Sequence, residues 1–283
     1  MSEIALLLTT YNSEKHLRPQ LDSLFAQSWQ DFKIYVHDDG SDDDTLQILA
    51  EYQQKYPQLI LLQDPKPGRL AKGSFIWLLE NTKADYYMFC DHDDVWLSDK
   101  IEKTYNKMQA CEKKQPAKAV VINTDLKVVD ENLNEISPSF WAYNKIKPAL
   151  LKSFNFLTVC NAFTGCTMMI NRAAKELALP VSEKALMHDK WIALKVAAEG
   201  GILDYLEEAT VLYRQHGENQ IGARKIGLSH YLKQLCSLTE TWKENRATLE
   251  MSRAILKYSW AKYLYYKLLY ALKRSRVQSF PLF

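Results

Sequence analysis

The sequence predicts an α/β fold, a mostly parallel central sheet flanked by helices, with a helical extension at the carboxyl end. Three observations carry this. Continuous apolar runs of strand length alternate with helix-period patterns, and polar residues collect directly after those runs. A chain of 283 residues with 47% hydrophobic content is also long enough for one large core.

In chain order, Ile4–Leu8, Phe32–Val36, Leu59–Leu62 and Tyr86–Phe89 are apolar throughout or nearly so, as parallel strands covered on both faces are. Helical patterns lie between them. One begins at Ser13-Glu14 and runs to about Gln27, with Leu17, Leu21, Leu24 and Phe25 at helical spacing; Asp42–Tyr56 carries Leu46, Leu49 and Tyr52 likewise. Such alternation argues for a doubly wound sheet. After Ser98, a good N-cap, a helix is expected to about Lys114, then strands over Ala119–Ile122, Leu126–Val129 and Cys166–Ile170. Ile192–Ala198 reads as helix, Ile202–Tyr213 as extended chain, and Leu228 to about Val277 as helix.

Ligands of doubly wound sheets bind beyond the carboxyl ends of the strands. Those ends carry Thr9-Thr10-Tyr11-Asn12, Asp38-Asp39-Gly40-Ser41 and Asp91-His92-Asp93-Asp94. In the last of these, three carboxylates within four residues repel one another unless a cation joins them. Positions two apart on extended chain share a side, so Asp91 and Asp93 converge, and such a pair suits magnesium or manganese. The alternative is a set of turn and cap carboxylates before the next helix.

Other signatures are missing. Gly68 to Ser74 has phosphate-loop spacing, but Ser74 stands where that loop needs lysine, and no GxGxxG follows the first strand. Five cysteines (Cys90, Cys111, Cys160, Cys166, Cys236) without a CxxC pair predict reduced, mostly buried thiols. The opening residues lack the basic charge and apolar length of a signal peptide or a spanning helix, which predicts a cytoplasmic protein. The net charge of +2 hides a division: from Arg224 onward there are 12 Lys+Arg against 3 Asp+Glu, net +9, and before it 24 against 31, net −7. A basic tail points to an anionic surface, membrane or nucleic acid.

The segments "LLLTTYN", "VHDDGSDDDT", "FCDHDDVWLSDK", "TGCTMMINR", "MHDKW" and "LYRQHG" resemble, in order and spacing, the family-2 glycosyltransferases of the GT-A (Rossmann-like) fold. More narrowly they resemble bacterial polysaccharide enzymes of the rhamnosyltransferase type. The resemblance spans about residues 3–222, so a catalytic domain is expected over 1–223 and a basic, aromatic helical extension over 224–283. It implies that Thr9, Tyr11, Asp38 and Asp39 hold the base and ribose of a UDP- or dTDP-sugar, with Lys72, Asp91 and His92 also near the nucleotide. Asp39 has the alternative of a turn before a helix, because "DDGSDDDT" is rich in turn formers. Asp91-His92-Asp93 matches the DxD metal motif, with Asp93 the leading ligand to Mn2+ or Mg2+. His216 is a further candidate, for metal or for diphosphate.

By the same resemblance Asp189 is the general base toward the acceptor hydroxyl; the alternative for it is a helix N-cap. Lys190 departs from the aromatic residue usual after the base. Trp96, Asn161, Thr164, Gly165 and His188 are placed around the donor sugar and acceptor pockets, and Trp96 has a core alternative. The expected activity is inverting, metal-dependent sugar transfer to a hydroxyl of a bacterial surface glycan, with a lipid-linked acceptor and no nucleic-acid partner. A glycosidase with two carboxylates and a non-catalytic adaptor on the same fold are the alternatives. The tail has Trp260, Tyr263, Leu264, Leu268 and Leu272 among lysines and is too charged to span a bilayer. It fits a peripheral place on the inner face of the plasma membrane, or packing on the catalytic domain or a second subunit.

Overall fold

The computed structural model describes residues 3–160, 163–216 and 238–274. Ile4–Thr10 forms β1, buried at every position, and it is the centre of a parallel set. β2 (Phe32–Asp38) pairs with it on one side and β4 (Tyr86–Cys90) on the other, with β3 (Leu59–Leu61) outside β2. Helix α1 (Glu14–Phe25) covers the set by burying Leu17, Leu21 and Leu24, and α2 (Thr45–Lys55) by burying Ile48 and Leu49. Helix α3 (Leu70–Asn81) has no counterpart in the sequence reading, because its apolar residues are spread round the axis and no 3.6-residue period stands out.

Beyond β4 the sheet becomes mixed, so the parallel expectation holds for the first half only. β6 (Val120–Val129) and β4 both pair antiparallel with β8 (Met169–Asn171). β9 (Ile202–Arg214) runs parallel to β6, and β5 (Val95–Trp96) antiparallel to β9. The order is β3-β2-β1-β4-β8-β6-β9-β5, with β7 (Glu135–Ser137) added to β6. The two strands expected over 119–129 are one, because the polar residues that interrupt the apolar run have partners inside the sheet. Thr124 Oγ1 meets Thr210 Oγ1 at 2.6 Å, Asn123 accepts from the Thr167 hydroxyl, and Asp125 accepts from the Trp141 N–H at 3.2 Å.

Helix α4 (Lys100–Lys114) starts two residues after the expected cap. Short helices α5 (Phe140–Tyr143), α6 (Phe154–Val159) and α7 (Arg172–Ala178) fill the irregular connections. Helix α8 spans His188–Ala198, four residues longer at its start than expected, so Asp189 stands in its first turn. The tail is two helices, α9 (Leu238–Ile255) and α10 (Trp260–Arg274). The rest of the expected tail helix, before 238 and after 274, lies outside the described residues. On its packed side α10 rests on α6: the Phe156 and Tyr266 rings are 5.3 Å apart, and the Cys160 thiol donates to the Tyr270 hydroxyl at 3.0 Å. Cys90, Cys111, Cys160 and Cys166 are free and buried, and Cys236 lies outside the described residues. Among the described residues no helix is long and apolar enough to cross a membrane.

Candidate active site

The carboxyl ends of β1, β2 and β4 lie side by side, and their loops are tied together by side chains. Asp38 accepts from the Thr10 hydroxyl at 2.8 Å, the Ser41 hydroxyl at 2.6 Å and the Gly40 and Ser41 N–H groups. Asp39, buried, accepts from the N–H groups of Gly68, Arg69 and Leu70 at 2.7–2.9 Å. Three of the roughly four acceptor sites of its carboxylate are therefore filled by the chain. Below this loop Arg69 is paired with buried Asp64, and the guanidinium holds that carboxyl well below the usual range. Thr9 is buried beside the loop, and Tyr11 stands out into solvent at 57% exposure. Lys72, in the first turn of α3, donates to the carbonyl of Ala185 at 2.9 Å, which places it against the segment that leads into α8.

The acidic loop after β4 divides into two groups. Asp93 Oδ2 lies 2.8 Å from His216 Nε2, and the His216 ring is 5.0 Å from that of His16. Burial, with the cationic Arg214 and the His216 ring beside it, pushes the His16 pKa down to about 4. Asp91 instead comes together with Asp94 and Cys166, their ligand atoms all within 4.8 Å. Burial and the charges of Asp93 and Asp189 raise the Asp91 pKa to about 7, and burial likewise pushes Asp94 and the Cys166 thiol well upward. His92 is half-buried next to them.

Sequence reasoning gave no role to Arg214 and Lys100, and counted Asp94 only as one of three repelling carboxylates. Arg214, buried, holds the loop by its backbone: Nε donates to the Asp93 carbonyl at 2.9 Å and Nη1 to the Glu131 carbonyl at 2.6 Å. Asp94 is fully buried and accepts from the Arg214 N–H at 3.3 Å, while its Oδ2 has no partner among the described residues. Lys100 is fully buried, 4.6 Å from the Trp96 ring, with its pKa lowered to about 8 by burial. Trp96 is itself 2% exposed, which is the core alternative and not the wall of an open pocket. "LYRQHG" and "DVWLSDK" contain these residues, but no pattern in a sequence marks a lysine or arginine as buried.

The residues suit a hard cation. Asp94 keeps one buried oxygen without a hydrogen-bond partner among the described residues, Asp91 lies with it, and the donors are mainly oxygens. Cys166, kept protonated by burial, is a poor ligand for such an ion.

The base candidate is built by two backbone N–H groups. Asp189 is buried and accepts from Gly165 at 3.1 Å and Lys190 at 2.6 Å. Burial raises its pKa to about 6, against the pull of those two donors and of the Lys190 ammonium. Burial also lowers the Lys190 pKa to about 8. Gly165 is required by close approach, since a Cβ there would fall 2.8 Å from His188 Nε2. The His188 ring packs between Phe75 and Phe89 with centroids 4.4 and 4.9 Å away, and burial drives its pKa to about 3, so it is neutral. Thr164 bonds to the Thr167 hydroxyl at 2.9 Å and so fixes the turn that carries Gly165. Asn161 lies outside the described residues.

Known proteins resemble the chain in sequence and in fold. The family model for Glycosyl transferase family 2 matches residues 6–177, more than half of the chain. The dTDP-rhamnosyl transferase RfbG of Shigella flexneri is 28% identical over 253 residues, covering 85% of this chain and 82% of RfbG. The uncharacterized glycosyltransferase RP339 of Rickettsia prowazekii is 26% identical over 170 residues, covering 59% of this chain and 49% of its own length. Among solved structures, S. aureus TarS 1-349 in complex with UDP-GlcNAc superposes with a TM-score of 0.58 at 19% identity, over 97% of this chain and 74% of that one. The mannosyltransferase PcManGT from Pyrobaculum calidifontis, in complex with GDP-Man and Mn2+, gives 0.55 at 14% identity, over 96% and 87%. These structural neighbours share the GT-A fold. The chain is a glycosyltransferase of that fold, and it belongs to glycosyl transferase family 2.

Proposed function

We propose that the protein transfers a sugar, in the first instance rhamnose from dTDP-rhamnose, to a hydroxyl of a bacterial surface glycan by a single inverting displacement. The observation that carries this reading is the buried Asp189 carboxylate, held by the Gly165 and Lys190 N–H groups close enough to the acidic loop for its charge to raise Asp91. Asp189 takes the proton of the acceptor hydroxyl as that oxygen attacks the anomeric carbon. The bond from that carbon to the diphosphate oxygen breaks, and the nucleoside diphosphate leaves with the electron pair. A base with a pKa near 6 is ionised at neutral pH and still basic enough to accept a proton in the transition state. His188, neutral and packed against two phenylalanine rings, leaves no room for a side chain at position 165 and adds no charge beside Asp189.

Asp93 with His216, and Asp91 beside Asp94, are the residues that would hold Mn2+ or Mg2+, which when bound would supply positive charge opposite the departing diphosphate. Thr9, Tyr11, Asp38, Asp39 and His92 line the edge where the nucleoside would lie. RfbG, by its name, uses a dTDP-rhamnosyl donor, and that supports the choice of sugar. Family membership leaves the glycosidase and adaptor alternatives without support. Titration calorimetry with dTDP and UDP, with and without manganese, tests the reading: binding that strengthens with manganese is expected, and no binding of either nucleotide contradicts it.

The tail adds a location. While one face of α10 packs on α6, the other presents Leu264, Tyr265, Leu268 and Leu272, each more than half exposed, on a helix without an acidic residue. That face fits attachment to anionic lipid on the cytoplasmic side of the membrane, where a lipid-linked acceptor would be met.

A further inference from the structure

Helix α9 lies against the segment that leads into the base. Met251 Sδ accepts from the Leu186 N–H at 3.4 Å, and Glu250 faces Lys184 Nζ at 3.6 Å while bonding Arg246 at 3.0 Å. From the other side Lys72 holds the Ala185 carbonyl. Between these elements is a cavity of about 270 Å³, walled by Lys72, Glu183, Lys184, Leu186, Ala247 and Glu250. It is close to the lower end of the range for small-molecule sites, ~300 Å³. Its wall is also near the chemistry, since Leu186 precedes Asp189 by three residues, a reach of at most ~11 Å of chain.

The lining selects a class of ligand. Two lysines face two glutamates, so the wall offers no net positive charge to a diphosphate. Ammonium groups donate and carboxylates accept, a mixture that matches hydroxyl groups, which do both. Leu186, 42% exposed, and Ala247 add an apolar strip against which a sugar ring's C–H face can lie. We propose that this cavity is an acceptor subsite that binds a neutral sugar residue of the glycan, so that the carboxyl-terminal extension forms part of the substrate site. The proposal rests on Asp189 being the base that faces the acceptor. It gives the extension a role in acceptor choice that is separate from its outward, apolar face.

The test uses the full chain and neutral methyl glycosides of rhamnose, glucose, galactose and N-acetylglucosamine, read by saturation-transfer NMR beside titration of dTDP and UDP with manganese. Saturation transfer to at least one glycoside is expected in the wild type. It should weaken by about tenfold in Ala247→Trp, whose indole occupies the cavity, with nucleotide affinity unchanged; such a loss corresponds to ~1.4 kcal/mol. Glycoside binding that Ala247→Trp leaves intact, or no glycoside binding at all, overturns the subsite. Parallel loss of nucleotide and glycoside assigns the cavity to the donor and overturns it equally. Should Ala247→Trp lower the melting temperature, Glu183→Gln at the exposed rim replaces it: weaker glycoside binding supports the subsite and unchanged binding removes it. If no nucleotide binds while Ala247→Trp still displaces a glycoside, the subsite stands and the donor assignment fails.

Discussion

Asp189 and the acids it faces determine how the protein should respond to pH. Burial raises its pKa to about 6, and a general base must be ionised, so the role proposed for Asp189 predicts that kcat at saturating donor rises with pH through that value and levels off above it. The folding contribution has the opposite slope: between 3.8 and about 6 the native chain keeps a proton that the unfolded chain has lost, so this group favours folding less as pH rises. Asp91, raised to about 7, must lose its proton to bind a cation, so manganese affinity should fall as pH drops through that value, with proton release measurable by calorimetry in two buffers. A pH-independent manganese affinity would remove Asp91 from the site. Asp93→Asn should abolish manganese-dependent nucleotide binding with little change in melting temperature, since the amide keeps an oxygen that can accept from His216 Nε2 while repulsion in the loop is relieved. Retained manganese dependence would sink the metal assignment. At this scale the sequence singled out Asp91, Asp93 and Asp189 by type and spacing, and the structure adds that Asp189 is buried and that Asp93 pairs with His216. It was silent on Lys100 and Arg214, whose place comes from burial, counted Asp94 only as one of three repelling carboxylates, and left Trp96 undecided between pocket and core.

At the scale of elements, Asp39 shows how a loop is built from a distance. Its carboxylate gathers the N–H groups of Gly68, Arg69 and Leu70 from a segment about 30 residues on, and holds Leu70 at φ +60°, in the left-handed region that costs a non-glycine residue ~1–2 kcal/mol. Leu70 is 72% exposed, so little burial is lost with its side chain. Leu70→Gly should therefore stabilise the protein by about 1 kcal/mol in urea unfolding, and a destabilised variant would show that the side chain has a contact of its own. Apolar runs revealed β1, β2 and β4, and periodicity revealed α1 and α2. The same methods missed α3, which is apolar all round, and divided β6 at its buried Asn123-Thr124-Asp125, where hydrogen-bonded partners from other elements compensate the polar groups. Antiparallel entry of β8 was likewise invisible, because an apolar run carries no direction.

For the whole molecule, the basic charge of the tail was legible and its division of labour was not. Tyr258, Tyr263 and Tyr270 are buried, so removing α10 would strip a covering from α6 as well as an outward surface. Paired Leu264→Glu and Leu268→Glu substitutions separate the two roles. They should abolish cosedimentation with vesicles of anionic lipid and leave the melting temperature and donor hydrolysis intact, because both positions face away from the fold. Wild-type binding to those vesicles should weaken at high salt, as charge at a surface is screened. Full retention of the double variant on vesicles would place the attachment elsewhere.

The central claim is that Asp189 is the base of a nucleotide-sugar transfer. It is tested most directly by comparing wild type with Asp189→Asn for turnover of dTDP-rhamnose in manganese with acceptor present, and for dTDP affinity in the same buffer. The account predicts a rate lower by roughly 10²–10⁴ with nucleotide affinity unchanged, the usual contribution of a positioned general base. An undiminished rate, or a loss of nucleotide affinity that matches the loss of rate, would contradict it.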